Sequence, residues 1–147
     1  MRNDLVRIRA SFEQIDKLNL PVTFKNFPRG ACGDTCEVLA ELLRELGHGS
    51  FQYISGCREN GNSHAWLERN SEIVDITADQ FDEISDSVYL GLSNTWYQSF
   101  KIQQKHEAGY NRLDPRSRAE LSSAHLRIKA ELNAQQAKEK SHFELDG

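Results

Sequence analysis

The chain has 147 residues, of which 38% are hydrophobic and 27% are charged, a composition typical of one soluble globular domain. Its formal net charge of −4 and its pI near 5.7 argue against nucleic acid or an anionic membrane as the main partner. No apolar run approaches the length of a membrane span, and the charges scattered through the first residues are unlike a signal peptide. Three cysteines without disulfide-framework spacing favour reduced thiols. We therefore expect a cytoplasmic protein, with secretion as an effector by a signal-free route left open.

Two helices are predicted in the first third of the chain. Apolar residues at spacings of three and four predict an amphipathic helix over residues 3–18, ahead of a loop rich in proline and glycine. The strongest helical pattern covers residues 32–46 and ends at Gly47 and Gly49. Its apolar stripe consists of Cys36, Leu39, Ala40, Leu43 and Leu46.

Three strands are predicted after the second helix. Residues 50–57 carry aromatic and β-branched residues in alternation, and the Asn60-Gly61 dipeptide that follows is a strong hairpin signal. Residues 63–68 (SHAWLE) and 72–77 (EIVDIT) predict two more strands, joined by a tight turn. A helix followed by antiparallel strands predicts an α+β domain, in which a helix packs on a small antiparallel sheet.

The second half of the chain is less regular before it becomes helical. We expect residues 78–91 to be irregular or edge structure and residues 95–103 to be a possible fourth strand. Asp114 and Pro115 are typical of an N-cap and a first helical residue. The polar, alanine-rich residues 116–140 then predict a long helix with a thin apolar stripe, either exposed to solvent or packed on a partner or a second copy.

Cys32 stands where the second helix begins. A thiol at a helix N-terminus lies beside unpaired N–H groups and the positive end of the helix dipole, which lowers its pKa and favours the nucleophilic thiolate. Gly30 and Gly33 leave room for a substrate carbonyl to approach the sulfur. Taken alone, a cysteine is more often a small buried hydrophobe, which is our interpretation of Cys36, one turn further along the stripe.

His64 and Asp75 lie on the two strands of the predicted hairpin. If Glu68 pairs with Ser71, Asp75 lies directly opposite His64, and if Arg69 is the last paired residue, Asp75 is a diagonal neighbour on the same face. Either register brings the carboxylate within reach of the imidazole. Because an acid among Ile and Val residues needs a partner, we expect a functional pair, and chance placement on a surface strand is the alternative.

A few further residues are weaker candidates. The Asn26 amide is a candidate donor to an oxyanion, together with the Cys32 backbone N–H, although a turn-forming asparagine explains it equally well. Trp66 is expected to flank the histidine and line the cleft, with plain packing as the alternative. Asp79 and Gln80 follow the aspartate strand closely and are the weakest candidates for lining the cleft.

A zinc site is the metal alternative. Cys32, Cys36, Cys57 and His64 are the residue types of a Cys₃His site. However, a CxxxC pair inside a helix is not the usual turn-borne ligand pair, and Cys57 has no close companion ligand. We therefore expect no metal and no cofactor.

Three segments resemble the transglutaminase-like branch of the papain-like cysteine hydrolases: RGACGDTCEVLAELLRELG, SHAWLE and IVDIT, within residues 29–77. The pattern is similar in particular to that of the leader peptidases of lasso-peptide systems. The resemblance implies a papain-like or transglutaminase-like core, with Cys32 as nucleophile, His64 as general base and acid, and Asp75 as the orienting carboxylate. The acidic CGDTCE segment and the long polar C-terminal helix depart from the family pattern.

We expect residues 1–110 to be the cysteine hydrolase domain that the resemblance implies. Residues 111–147, where the composition changes, are expected to be a C-terminal helical extension, and its thin apolar stripe favours self-association or partner association. The resemblance also implies an activity. We expect hydrolysis of an amide bond in a peptide or protein substrate, as a peptidase or a glutamine deamidase, through a thioester intermediate. Transfer of the acyl group to an amine is the first alternative. A non-catalytic binding module or a zinc-stabilised structural domain is the second.

Overall fold

The computed structural model describes residues 1–146, with side chains described through residue 142. The α-helices are α1 (Arg2–Gln14), α2 (Cys32–Glu45), α3 (Thr95–Gln98) and α4 (Pro115–Asp146). The strands are β1 (Gln52–Cys57), β2 (Ser63–Arg69), β3 (Glu72–Asp75), β4 (Tyr89–Leu92) and β5 (Lys101–Glu107). Short 3₁₀ helices cover Lys17–Asn19, Val22–Phe24 and Ala78–Gln80.

The prediction of an α+β fold with a small antiparallel sheet is confirmed. The helix predicted over residues 32–46 is α2, and the three predicted strands are β1, β2 and β3. The prediction of a strand from residue 95 is wrong, because residues 95–98 form the single turn of α3. The side chain of Asn94 caps this turn by accepting a hydrogen bond from the backbone N–H of Tyr97. The strand predicted there begins at Lys101 and is β5.

The five strands form one antiparallel sheet in the order β4-β3-β2-β1-β5. In the β2–β3 hairpin, Arg69 pairs with Glu72 around a two-residue turn, Asn70-Ser71, whose φ angles are 51° and 67°. Such a turn, with both central residues in the left-handed region, matches the natural twist of a hairpin. This register is one of the two that the sequence left open.

The β2–β3 hairpin buries two chemically different faces. The residues that face α1, α2 and α4, here called the helical face, are Ala65, Leu67, Val74 and Ile76. The residues that face the opposite way, here called the aromatic face, are His64, Trp66, Ile73 and Asp75. The strand pleat alone separates these two sets, since neighbouring side chains point to opposite sides.

Helix α4 packs in the same core as the rest of the chain. Leu121, Ala124, Ile128 and Leu132 of α4 are buried together with residues of α1 and α2. The thin apolar stripe predicted from the sequence therefore contacts this chain itself. Of the helices in the described residues, none combines the length and the apolar character needed to cross a bilayer.

Candidate active site

Cys32 is the first residue of α2, so its sulfur lies at the N-terminus of the helix. Ala31 occupies the N-cap without a side-chain cap, and the first N–H groups of a helix have no partner within it. The Cys32 thiol is half-buried and hydrogen-bonds with the His64 side chain and the backbone of Ala65. Burial opposes ionisation, but the interactions with His64 and Ala65 outweigh it, so the pKa of Cys32 lies below its ordinary value.

Cys36, one turn further along α2, has the opposite character. Its side chain is 4% exposed and packs in the aliphatic core. Burial, with a smaller contribution from the charge of Asp75, raises the pKa of Cys36 well above its ordinary value. This thiol therefore remains protonated and unreactive at neutral pH.

His64 and Asp75 form a buried pair on the aromatic face. His64 Nε2 lies 2.6 Å from Asp75 Oδ2, and the two residues are 1% and 2% exposed. Burial lowers the pKa of His64, but the carboxylate of Asp75 and the interaction with Cys32 outweigh it and raise this pKa to about 9. At neutral pH the ring is therefore an imidazolium, which stabilises the Cys32 thiolate.

Asp75 also accepts hydrogen bonds from two further residues, Thr77 and Tyr97. The backbone N–H of Thr77 donates to Oδ1 at 2.9 Å, and the hydroxyl of Tyr97 donates to Oδ2 at 2.9 Å. Burial opposes ionisation of Asp75, but His64 and these donors keep its pKa below the ordinary value. The carboxylate is therefore ionised and fixed in position, so it can orient the imidazole.

Aromatic rings enclose His64. Phe81 and Trp96 lie 5.3 Å and 5.6 Å from its ring, edge to face, and Trp66 and Phe100 lie 5.8 Å and 6.0 Å away. Trp66 is on the same face as His64, as expected, but it is only 2% exposed. It packs against the imidazole, and its role in lining the cleft stays a prediction.

Gln80 contacts His64 of this pair, whereas the sequence offered it only as a weak candidate for lining the cleft. Its Nε2 lies 3.2 Å from His64 Nδ1 and donates to the carbonyl of Thr77 at 3.0 Å. The residue ends the short helix Ala78–Gln80, directly after the strand that carries Asp75. Its position five residues after the aspartate is the signal that the sequence offered.

Arg9 is a buried cation that the sequence analysis missed. It is 7% exposed, and its guanidinium donates to both carboxylate oxygens of Asp79, at 2.6 Å and 2.9 Å, and to the carbonyl of Ile76 at 2.7 Å. The same guanidinium lies 5.0 Å from the ring of Phe27, in the loop that leads to Cys32. Arg9 therefore ties α1 to both loops of the site. Its place within the apolar pattern 5, 8, 9, 12 was the available signal.

Asn26 is exposed, and among the described residues no side-chain hydrogen bond connects it to Cys32 or His64. Its role as an oxyanion donor stays a prediction.

A cleft of about 420 Å³ opens beside the pair. Gln80 and Phe81, both in contact with His64, form part of its lining. Its other lining residues are Arg29, Asn62, Asp82 and Glu83.

In the part of the chain that the structure describes, no three His, Cys, Asp or Glu side chains form a group able to hold a metal. The four residues considered for zinc are accordingly not gathered into one ligand set.

The chain was compared with protein-family models, with curated proteins and with solved structures. None of the three comparisons found a match.

Proposed function

We propose that this protein is a cysteine-dependent acyl-transfer enzyme that hydrolyses an amide bond in a peptide or protein. The observation that carries the proposal is the buried Asp75–His64 pair joined to a half-buried thiol at a helix N-terminus. A nucleophile, a base and a group that orients the base are the three parts that covalent acyl transfer requires.

In the proposed reaction, the Cys32 thiolate attacks the carbonyl carbon, a C–S bond forms, and the π electrons move to the oxygen. When this oxyanion collapses, the C–N bond breaks and His64 gives its Nδ1 proton to the leaving nitrogen. The neutral imidazole then takes a proton from water, whose oxygen attacks the thioester. The C–S bond breaks, the carboxylic acid leaves, and the thiolate and imidazolium are restored.

The order of elements supports a papain-like, transglutaminase-like core for this enzyme. A helix-borne thiol, a strand-borne histidine and an aspartate on the next strand follow one another in the chain. The sequence pattern through these elements is similar to that of lasso-peptide leader peptidases, which favours a peptide substrate. Hydrolysis is favoured over transfer to an amine because the cleft lined by Gln80 and Phe81 is polar and admits water beside His64, the proposed base.

The test is the rate of alkylation of Cys32 by iodoacetamide as a function of pH, read at each cysteine by peptide mass spectrometry. At about pH 6 an ordinary thiol of pKa about 8.5 is less than about 1% thiolate, so Cys32 should react at least about tenfold faster than a free thiol. His64→Ala should remove this excess, because the imidazolium that stabilises the thiolate is gone.

Cys57 serves as the internal control. It is half-buried, and its Sγ donates to the carbonyl of Arg58, so its reactivity should not change in His64→Ala. If Cys32 reacts like a free thiol in the wild-type protein and His64→Ala changes nothing, the proposal is wrong. The substrate itself is sought by capture on a Cys32→Ala variant, which binds it without cleaving it.

A further inference from the structure

Within residues 1–142, whose side chains the structure describes, Gln80 is the amide side chain that contacts the proposed base. Its Nε2 has two N–H groups, of which one is accepted by the carbonyl of Thr77 at 3.0 Å. Because a carbonyl only accepts, this contact fixes which end of the amide faces inward. The second N–H is thereby directed at His64 Nδ1, 3.2 Å away.

The acceptor of this second N–H depends on whether His64 Nδ1 carries a proton. His64 Nε2 donates to Asp75, so Nδ1 is the nitrogen that exchanges a proton with Cys32. A neutral imidazole accepts the Gln80 N–H at Nδ1, but an imidazolium carries a hydrogen there and cannot. Once Nδ1 is protonated, the amide N–H therefore requires a new acceptor close to the reacting atoms.

The position of Gln80 is rigid. It ends the short helix Ala78–Gln80, and its neighbour Asp79 is held by the two-point ion pair with buried Arg9. It also lines the cleft of about 420 Å³ beside His64, so a ligand can reach its amide. A fixed, accessible donor costs little reorganisation when charge develops in front of it, which is the property that makes oxyanion stabilisation effective.

We propose that Gln80 is a further catalytic residue, whose side-chain N–H donates to the oxyanion formed when the Cys32 sulfur attacks a carbonyl. This inference rests on the proposed acyl-transfer function. As the C–S bond forms, the π electrons of the carbonyl move to its oxygen, and the Gln80 N–H and the free N–H groups at the start of α2 surround that oxygen. The role that the sequence left open for Asn26 is thereby assigned to an amide that contacts His64.

Two probes of the same sulfur separate this role from a structural one. Acylation of Cys32 by p-nitrophenyl acetate passes through a tetrahedral oxyanion, whereas alkylation by iodoacetamide is a direct displacement at carbon and forms none. In Gln80→Leu, the acylation rate should fall about a hundredfold, the usual effect of removing one oxyanion donor, while alkylation stays within about twofold. The thermal unfolding midpoint of each variant shows that it is folded.

Two further variants complete the experiment. Gln80→Glu keeps the shape of the side chain but has no N–H to donate when ionised, so its acylation should also fall strongly even if Gln80→Leu is unstable. Gln103→Leu, which removes an exposed glutamine on β5, is the matched control and should leave both rates unchanged.

The outcomes distinguish this inference from the function on which it rests. Slow acylation with normal alkylation in the Gln80 variants supports the oxyanion role. Normal acylation in both variants overturns it and leaves the proposed function in place. Equal loss of acylation and alkylation also overturns it, because the residue would then act only on the thiolate. If p-nitrophenyl acetate fails to acylate Cys32 in the wild-type protein, the proposed function itself is contradicted.

Discussion

The two faces of the β2–β3 hairpin differ in chemistry although they share one backbone. The helical face consists of four aliphatic residues that pack against three helices. The aromatic face mixes Trp66 and Ile73 with the charged pair His64 and Asp75, all at 2% exposure or less. Burying two charges costs free energy unless each is paired, and every charge on this face is paired. We infer that the helical face supplies stability and that the aromatic face supplies reactivity.

Asp75→Asn should have the largest effect on the reactivity of Cys32, and it tests most directly whether the two faces have different roles. Without the carboxylate, the pKa of His64 falls from about 9 towards the ordinary value of about 6.5. Acylation of Cys32 should slow roughly 10³- to 10⁴-fold. Its high-pH limit, where the imidazolium loses its proton, should move to lower pH, since a smaller pKa means that the proton is lost sooner.

The measurement is the acylation rate by p-nitrophenyl acetate between about pH 5 and pH 10, a span that includes both histidine pKa values. Asp86→Asn, at an exposed position outside the site, is the matched control. If the pH profile of the acylation rate is unchanged in Asp75→Asn, the inference that the aromatic face supplies reactivity is wrong.

Leu39→Ala tests whether the core on the helical face supplies stability. Leu39 is 1% exposed on α2, in the core that covers the helical face. Removing three buried carbons and leaving a cavity should lower the free energy of unfolding by about 2–5 kcal/mol, measured by urea denaturation. Leu126→Ala, at a side chain 64% exposed on α4, should change it by less than about 0.5 kcal/mol. If Leu39→Ala slows alkylation of Cys32 in the still-folded protein, the helical side also controls reactivity.

Tyr97→Phe probes the support of the aspartate with a smaller change. It removes the hydroxyl that donates to Asp75 at 2.9 Å and leaves the ring in place. Losing one hydrogen bond to a buried charge should cost about 1.5–3 kcal/mol in the free energy of unfolding. It should also raise the pKa of Asp75, because the ionised form loses a donor. Tyr89→Phe, whose hydroxyl donates to the backbone carbonyl of Leu92, is the control, and an equal cost there would mean that Tyr97 has no special relation to the pair.

Ser71→Gly should have the smallest effect, and in the opposite direction. Ser71 has a φ of 67° in the turn that sets the hairpin register, and glycine adopts that region without strain. We expect the unfolding free energy to rise by up to about 1 kcal/mol, with alkylation of Cys32 unchanged. Val6→Gly, at an exposed position inside α1, should instead be destabilising. A slower alkylation in Ser71→Gly would show that the turn affects the site on the aromatic face.

The positions of Cys32, His64 and Asp75 could be predicted from the sequence, because each lies on a regular helix or strand. The apolar stripe placed Cys36 in the core and left Cys32 at the helix start, and the alternation of strands placed His64 and Asp75 on one face. Arg9 and Tyr97 were not predicted in any role, and Gln80 was considered only for lining the cleft. Arg9 and Tyr97 lie on α1 and α3, and Gln80 on the short helix after β3; their contacts follow from tertiary packing that local periodicity does not encode.

The location of His64 and Asp75 on one hairpin has a consequence for folding. His64 and Asp75 are only eleven residues apart in the sequence. The Cys32 thiol, in contrast, lies on α2, which precedes the hairpin in the chain and must pack against it. Local contacts of this kind form faster than distant ones, because less chain must be ordered to close them. The base and its acid can thus assemble first, and the sulfur acquires its reactivity only when α2 docks. In the proposed enzyme, the Cys32 thiol of a newly made chain would therefore react slowly until α2 has packed against the hairpin.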